Sequence, residues 1–192
     1  MALPEHTQVL ITGAGPVGLV LAHLLGTDAT ETLLVERNAG CVPEPRAISI
    51  DGESLRTLQA AGVVEDVRPD LMEGFVADYL NGAGTHLFST DLTDRPFGFC
   101  MQNAFDQPRL ERTLLATLER KASVTVRHET ELLSFLQDAK GVDVRLRSAD
   151  GKEHRVRADY LVGCDGGRSE IRRAIGAVME GDRLPQKWLV VD

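Results

Sequence analysis

Val9-Leu10-Ile11-Thr12-Gly13-Ala14-Gly15-Pro16-Val17-Gly18-Leu19 decides the fold. A short apolar run enters a glycine-rich turn, and the turn opens into a helical pattern carried by Val20, Leu21, Leu24 and Leu25. Gly13, Gly15 and Gly18 fit G-x-G-x-x-G, the phosphate-binding fingerprint of a dinucleotide fold. Gly13 permits the tight turn, Gly15 lets backbone approach a pyrophosphate, and Gly18 allows close packing of helix on strand. The helix N-terminus then offers free N–H groups and the positive end of a dipole.

The motif gains meaning from its surroundings. It needs a strand before it, a helix after it, and an acidic residue roughly 20 positions on. Val9–Ile11 supplies the strand, the helix runs from Pro16 to Gly26, and a second apolar run, Leu33-Leu34-Val35, ends in Glu36. A carboxylate there accepts from a ribose 2′-OH and favours FAD or NAD over NADP. Arg37 pulls slightly the other way, because an arginine can take a 2′-phosphate. The competing reading is a glycine turn with no ligand.

Composition sets outer bounds. The 192 residues suffice for one domain, or one domain and part of another. A net charge of −8 argues against a nucleic-acid partner. No apolar run approaches the roughly 20 residues of a membrane span, and the N-terminus has no basic, apolar leader. Cys41, Cys100 and Cys164 are few and far apart, which suits reduced thiols in a cytoplasmic protein. The five histidines show no ligand spacing, so no metal site is expected.

The pattern predicts β-strands at 8–12 and 32–36 around the first helix, a βαβ unit with a right-handed crossover. A Gly- and Pro-rich loop spans Asn38–Pro45, and a second helix starts near Asp51 and ends at Gly62. Val63–Pro69 reads as a connection. Phe75–Leu80 and His86–Ser89 read as a hairpin across Gly82-Ala83-Gly84, followed by a strand over Phe97–Gln102. A strong helix starts at Gln107-Pro108-Arg109, with Leu110, Leu114, Leu115 and Leu118 at helical spacing. Val124–Arg127 is the next parallel strand. Segments 130–136, 142–146 and 154–156 form an antiparallel meander. Tyr160–Cys164 is a buried-type strand broken by Asp165-Gly166-Gly167, and a helix runs from Ser169 to Gly176. Trp188–Asp192 reads as an apolar strand.

The fold class is therefore α/β: a Rossmann-like domain with a parallel sheet and an antiparallel meander, from which residues 75–103 make a β-rich excursion.

Asp165 and Ser169 could simply cap a turn and a helix. In order, however, Gly13–Leu19, Glu36-Arg37, Pro45-Arg46-Ala47, Gln107-Pro108-x-Leu110-Glu111 and Cys164-Asp165-Gly166-Gly167-Arg168-Ser169 resemble the group A FAD-dependent aromatic hydroxylases of the para-hydroxybenzoate hydroxylase type. Within that group the chain most resembles the 3-(3-hydroxyphenyl)propionate hydroxylases, through Pro45-Arg46-Ala47, Ile50–Gln59 and Trp188–Asp192. Polyketide-tailoring and phenol hydroxylases share most of these motifs.

The resemblance implies a Rossmann-like FAD-binding domain in two parts, residues 1–74 and 104–182, with 75–103 as an excursion into a β-rich substrate domain and 183–192 as the beginning of that domain. It implies that Gly13, Gly15 and Gly18, with Pro16 and Val17 between them, hold the FAD pyrophosphate. It places Glu36 on the adenosine ribose, Arg37 beside the adenine end, Arg46 near the flavin and pyrophosphate, and Gln107, Asp165 and Gly166 on the cofactor. Arg109 is a further contact or a solvated residue. The Arg168, Arg172 and Arg173 cluster attracts nicotinamide phosphates or is a solvated helix face. The implied chemistry is reduction of FAD by NADH or NADPH, then transfer of one oxygen atom from O2 through a flavin C4a-hydroperoxide to a phenolic small molecule. No residue stands out as the catalytic base. The family's downstream Gly-Asp motif has no counterpart here, so the chain reads as an N-terminal portion of an enzyme that could be a homodimer at full length. An NAD-dependent dehydrogenase and a non-catalytic FAD-binding fragment remain open at this point.

Overall fold

The computed structural model describes residues 3–41, 47–182 and 185–187. β1 (His6–Thr12), α1 (Pro16–Thr27) and β2 (Thr32–Val35) form the expected βαβ unit, with β1 and β2 parallel. Then come β3 (Ser49–Asp51), α2 (Gly52–Ala60), α3 (Val64–Val67), one 3-10 turn at 68–70 and β4 (Leu71–Glu73). A hairpin of β5 (Val76–Leu80) and β6 (His86–Asp91) precedes β7 (Gln102–Phe105) and α4 (Gln107–Thr117). β8 (Val124–Arg127), β9 (Glu131–Asp138), β10 (Gly141–Arg147), β11 (Glu153–Gly163) and α5 (Glu170–Ala174) complete the described elements.

The main sheet has the order β8-β2-β1-β11-β10-β9. β8, β2, β1 and the end of β11 run parallel, while β9, β10 and the start of β11 are antiparallel. The alternation of side chains on β1 shows how the layers form. Val9 and Ile11 face Leu19 and Ala22 of α1, Leu55 and Leu58 of α2, and Leu110 and Leu114 of α4. Leu10 faces the other way, onto Val142, Val144, Leu146, Val156 and Ala158, with Leu33 and Val35 beside it. The meander thus curls over the parallel strands, and the sheet is covered by helices on one face and by its own continuation on the other.

Several expectations need correcting. The separate strands expected at 154–156 and 160–164 are one strand of 11 residues. Its first half pairs with β10 and its second half with β1. Tyr160 is 69% exposed rather than buried. The strand expected over Phe97–Gln102 lies later, at Gln102–Phe105, because Phe97–Met101 turns back so that Phe99 and Cys100 bury while Phe97 lies under the Arg56 guanidinium. Val63–Pro69 holds a helical turn rather than a plain connection. β3, β7 and β4 make an unexpected three-stranded antiparallel sheet. Arg46 and Trp188–Asp192 lie outside the described residues.

Local signals account for the helix ends. Asp51, Asp106 and Ser169 accept from the amides of Ser54, Arg109 and Arg172 and cap α2, α4 and α5. Gly62, at φ +75°, closes the α2 end in the left-handed region.

Candidate FAD-binding cleft

Two turns meet at the C-terminal edge of the parallel strands, which is where open α/β sheets bind ligands. Thr12-Gly13 leaves β1, Cys164-Asp165 leaves β11, and the Cys164 amide donates to the Thr12 carbonyl at 2.8 Å. A third edge comes from Glu36, just past β2. A cleft of about 270 Å3 opens between them. Gly13, Gly15, Pro16, Val17, Glu36, Arg37, Gln107, Asp165 and Gly166 all line it. Gly18 does not reach the cleft and sits beneath it. Arg109 also stays outside and pairs with Asp70 at 3.3 Å.

The three loop glycines are small for different reasons. Gly13 has φ +99°, and a Cβ there would fall 2.4 Å from the Cys164 carbonyl oxygen. A Cβ on Gly18 would fall 1.9 Å from the Gly13 oxygen. Both are therefore required by packing of the protein on itself. A Cβ on Gly15 would meet nothing within 4 Å, and its φ of −75° suits any residue. Only something outside the described chain would need that space clear.

The start of α1 makes the same point. Gly15 is its N-cap and no side chain caps it, in contrast to α2, α4 and α5. Its first-turn amides therefore remain available beside the clear space over Gly15, an arrangement suited to an anion such as pyrophosphate.

Glu36 is tied into the loop by both oxygens. Oε2 accepts from the Ala14 amide at 2.9 Å, and Oε1 accepts from the Asn38 amide at 2.9 Å and from Asn38 Nδ2 at 2.6 Å. The carboxylate links the β2 end to the glycine turn and still faces the cleft. Oε1 uses both lone pairs on Asn38, whereas Oε2 accepts once and keeps capacity for a hydroxyl.

On the opposite wall, Asp165 Oδ2 accepts from the amides of Glu170 at 2.7 Å and Ile171 at 3.4 Å. Its capping role is real. Its other oxygen, Oδ1, is buried and makes no hydrogen bond among the described residues. Burial raises the Asp165 carboxyl, but the Ser169 hydroxyl and the amides of Glu170 and Ile171 outweigh that and hold it below its ordinary value. It is a fixed anion.

Neither thiol of the cleft lining, Cys41 or Cys164, is activated. Burial pushes the Cys164 thiol up, with the Asp165 charge adding to it. Burial and then the charge of Glu111 push the Cys41 thiol up. Thiolate chemistry needs the opposite shift. Arg172 and Arg173 donate to the carbonyls of Gly167, Ser169 and Arg168, whereas Arg168 itself lines the cleft.

Sequence reasoning passed over Asn38, Thr130 and Leu132, which also line the cleft, and took Glu111 as a motif residue on the polar face of its helix, whereas it is buried at the cleft wall. Glu111 carried a usable signal, since it stands four residues after Gln107 on the same helix face. Asn38 and Thr130 lie in loops whose meeting no local pattern encodes.

The family model described as "FAD binding domain" matches residues 6–192. The chain belongs to the FAD-binding domain family. Among curated proteins, it is 40% identical over 189 residues to a 3-(3-hydroxy-phenyl)propionate/3-hydroxycinnamic acid hydroxylase of Klebsiella pneumoniae (strain 342), covering 98% of this chain and 34% of that protein. It is 42% identical over 186 residues to the protein of the same name from Mycobacterium sp. (strain JLS), covering 97% and 32%. The chain thus spans about a third of the length of the curated relatives it matches.

Among solved structures, aklavinone-11 hydroxylase in complex with FAD and aklavinone matches with a TM-score of 0.78 and 32% identity, over 91% of this chain and 36% of that one. A p-nitrophenol 4-monooxygenase from Pseudomonas putida matches with a TM-score of 0.83 over 93% of this chain and 46% of that one, at 24% identity, which speaks for the fold alone. The expected α/β FAD-binding fold is what these likenesses show. Among the described residues, no helix is long and apolar enough to cross a membrane.

Proposed function

We propose that this chain is the FAD-binding N-terminal part of a monooxygenase that uses NADH or NADPH and O2 to hydroxylate a phenolic small molecule. A 3-(3-hydroxyphenyl)propionate-like substrate is the reading favoured by the curated relatives' names. The observation that carries FAD binding is the clear space over Gly15 beside the uncapped start of α1.

In this reading the pyrophosphate lies against Gly13, Ala14 and Gly15, where backbone can approach closely and the α1 dipole favours negative charge. Glu36 takes the adenosine ribose hydroxyls, with Arg37 at the adenine end. Gln107, Asp165 and Gly166 hold the cofactor from the opposite side, and Arg46 is proposed to join them. When bound, FAD would supply the redox chemistry: it accepts a hydride equivalent from the nicotinamide and activates O2 for transfer to the ring. Asp165 stays charged and holds the amides of Glu170 and Ile171 in place. Residues 1–74 and 104–182 are proposed as the FAD-binding domain, 75–103 as an excursion into the substrate region and 183–192 as its resumption. A cytoplasmic location and a full-length homodimer belong to the same proposal.

The test is titration of the purified chain with FAD, read by quenching of flavin fluorescence, with NAD as the competitor. Saturable FAD binding that NAD does not displace is expected. Binding of NAD with no uptake of FAD would overturn the reading in favour of a dehydrogenase-type site. Adding the phenolic substrate and NADH or NADPH to the full-length protein should yield O2-dependent hydroxylated product, and its absence would remove the monooxygenase assignment while leaving FAD binding standing.

A further inference from the structure

Glu111 is a carboxylate left only 3% exposed on the inner face of α4, and no step of the proposed function uses it. Its Oε1 accepts from Gln107 Nε2 at 2.8 Å, one helical turn earlier. Gln107 Oε1 in turn accepts from the Ala47 amide at 3.0 Å. The primary amide therefore sits between a group that can only accept and a group that can only donate. An ionised carboxylate has no proton to give, and a backbone N–H has no lone pair to offer. Just one of the two amide orientations satisfies both neighbours. With a neutral glutamine at position 111, either orientation would find a partner there.

We propose that Glu111 is a positioning residue: its carboxylate sets the orientation of the Gln107 amide, and through it pins Ala47 to α4 at the cleft wall. The buried charge thus contributes direction, because its polarity dictates which end of the amide faces Ala47. The proposal's consequence for cofactor affinity rests on the FAD reading above. Its consequence for Ala47 does not.

The experiment is hydrogen exchange at the Ala47 amide in the ligand-free chain, for the parent, Gln107→Ala, Glu111→Ala, Glu111→Gln and the Gln107→Ala/Glu111→Ala double variant. Loss of one net hydrogen bond should speed exchange roughly two- to tenfold in Gln107→Ala and Glu111→Ala. The double variant should exchange no faster than either single one, because both act through the same bond. Glu111→Gln keeps shape and packing, so a purely structural glutamate predicts parent-like exchange there. Orientation by charge predicts exchange between the parent and Glu111→Ala, and this isosteric variant still decides the matter if Glu111→Ala does not fold. Parent-like exchange in Glu111→Gln or in Gln107→Ala, or additive effects in the double variant, would overturn the proposal. FAD affinity of the same set should fall roughly two- to tenfold with the same non-additivity. A parent chain that binds no FAD would sink the FAD reading while the exchange result still judges Glu111.

Discussion

The two turns at the head of the cleft look alike in sequence and are built on opposite principles. Both leave neighbouring parallel strands, both are glycine-rich, and both open into a helix. In the turn after β1, shape is enforced by backbone packing. Gly13 lies against the Cys164 carbonyl and Gly18 against Gly13, so two of its three glycines have no room for a Cβ. In the turn after β11, Gly166 and Gly167 have open space around them, so only the left-handed φ of +77° at Gly166 calls for glycine. There, shape is enforced by side chains: Asp165 holds the amides of Glu170 and Ile171, and Ser169 holds that of Arg172. A glycine in such a loop therefore says little until one asks what a methyl group would hit and which φ the residue adopts.

The largest effect expected from breaking this contrast is at Gly18 and Gly13. Alanine at either should cost about 3 kcal/mol or more, because the obstructing atoms are backbone and cannot swing away. Thermal or urea unfolding measures it, and near-parental stability in Gly18→Ala would mean that helix and loop are less closely packed than described. Gly15→Ala should leave stability within about 0.5 kcal/mol yet weaken FAD binding at least roughly tenfold if backbone approach to the pyrophosphate is what that space serves. In the second turn, Asp165→Ala should cost about 1 kcal/mol, as for other lost caps. The sign of the acid response follows from its lowered carboxyl. Its contribution is complete above the ordinary carboxylate value of 3.8 and is lost as pH falls through the folded value, so Asp165→Asn should flatten acid unfolding in that window. The smallest effect is at Gly167→Ala, which should change stability by less than about 0.5 kcal/mol in the same unfolding assay.

A separate pH response should come from beneath the first turn. His23, fully buried where α1 meets α4, has Nε2 on the Leu114 carbonyl at 2.8 Å and, among the described residues, no hydrogen bond at Nδ1. Burial lowers its pKa from 6.5. Above about pH 6.5 both folded and unfolded chains hold it neutral; below that, the unfolded chain takes the proton first and stability falls. Melting temperature should drop between pH 7 and pH 5, and His23→Gln should lessen the drop.

The parts legible in the sequence are those in which one local pattern settles one local structure. The alternation at Val9–Ile11, the helical spacing of Leu110, Leu114 and Leu118, and the Gly82-Ala83-Gly84 turn all belong here. β11 was misread because a single strand changes partners midway. The alternation of Val156 and Ala158 with Arg155, Arg157 and Asp159 gives way to the apolar run Tyr160–Val162, so its halves read as two strands, while Arg157 pairs with Asp138 and Asp143 across the meander. The sheet of β3, β4 and β7 was missed because strands of three or four residues carry no period to detect. At the cleft, spacing alone pointed to Gly13, Gly15 and Glu36. It could not show that Glu36 grips Ala14 and Asn38, since that depends on how close two loops come in space.

The change of partners along β11 has a consequence for how the gene can vary. One continuous strand fixes the phase of two sheets at once: Val156 and Ala158 must face the Leu10 layer while Cys164 arrives at Thr12 in step with β1. Deleting or inserting a single residue between them would turn one half inside out relative to the other. Length variation in this region is therefore confined to the hairpin ends at Ala139-Lys140 and Asp150-Gly151, and the stretch from Glu153 to Gly163 behaves as a ruler whose spacing cannot be edited.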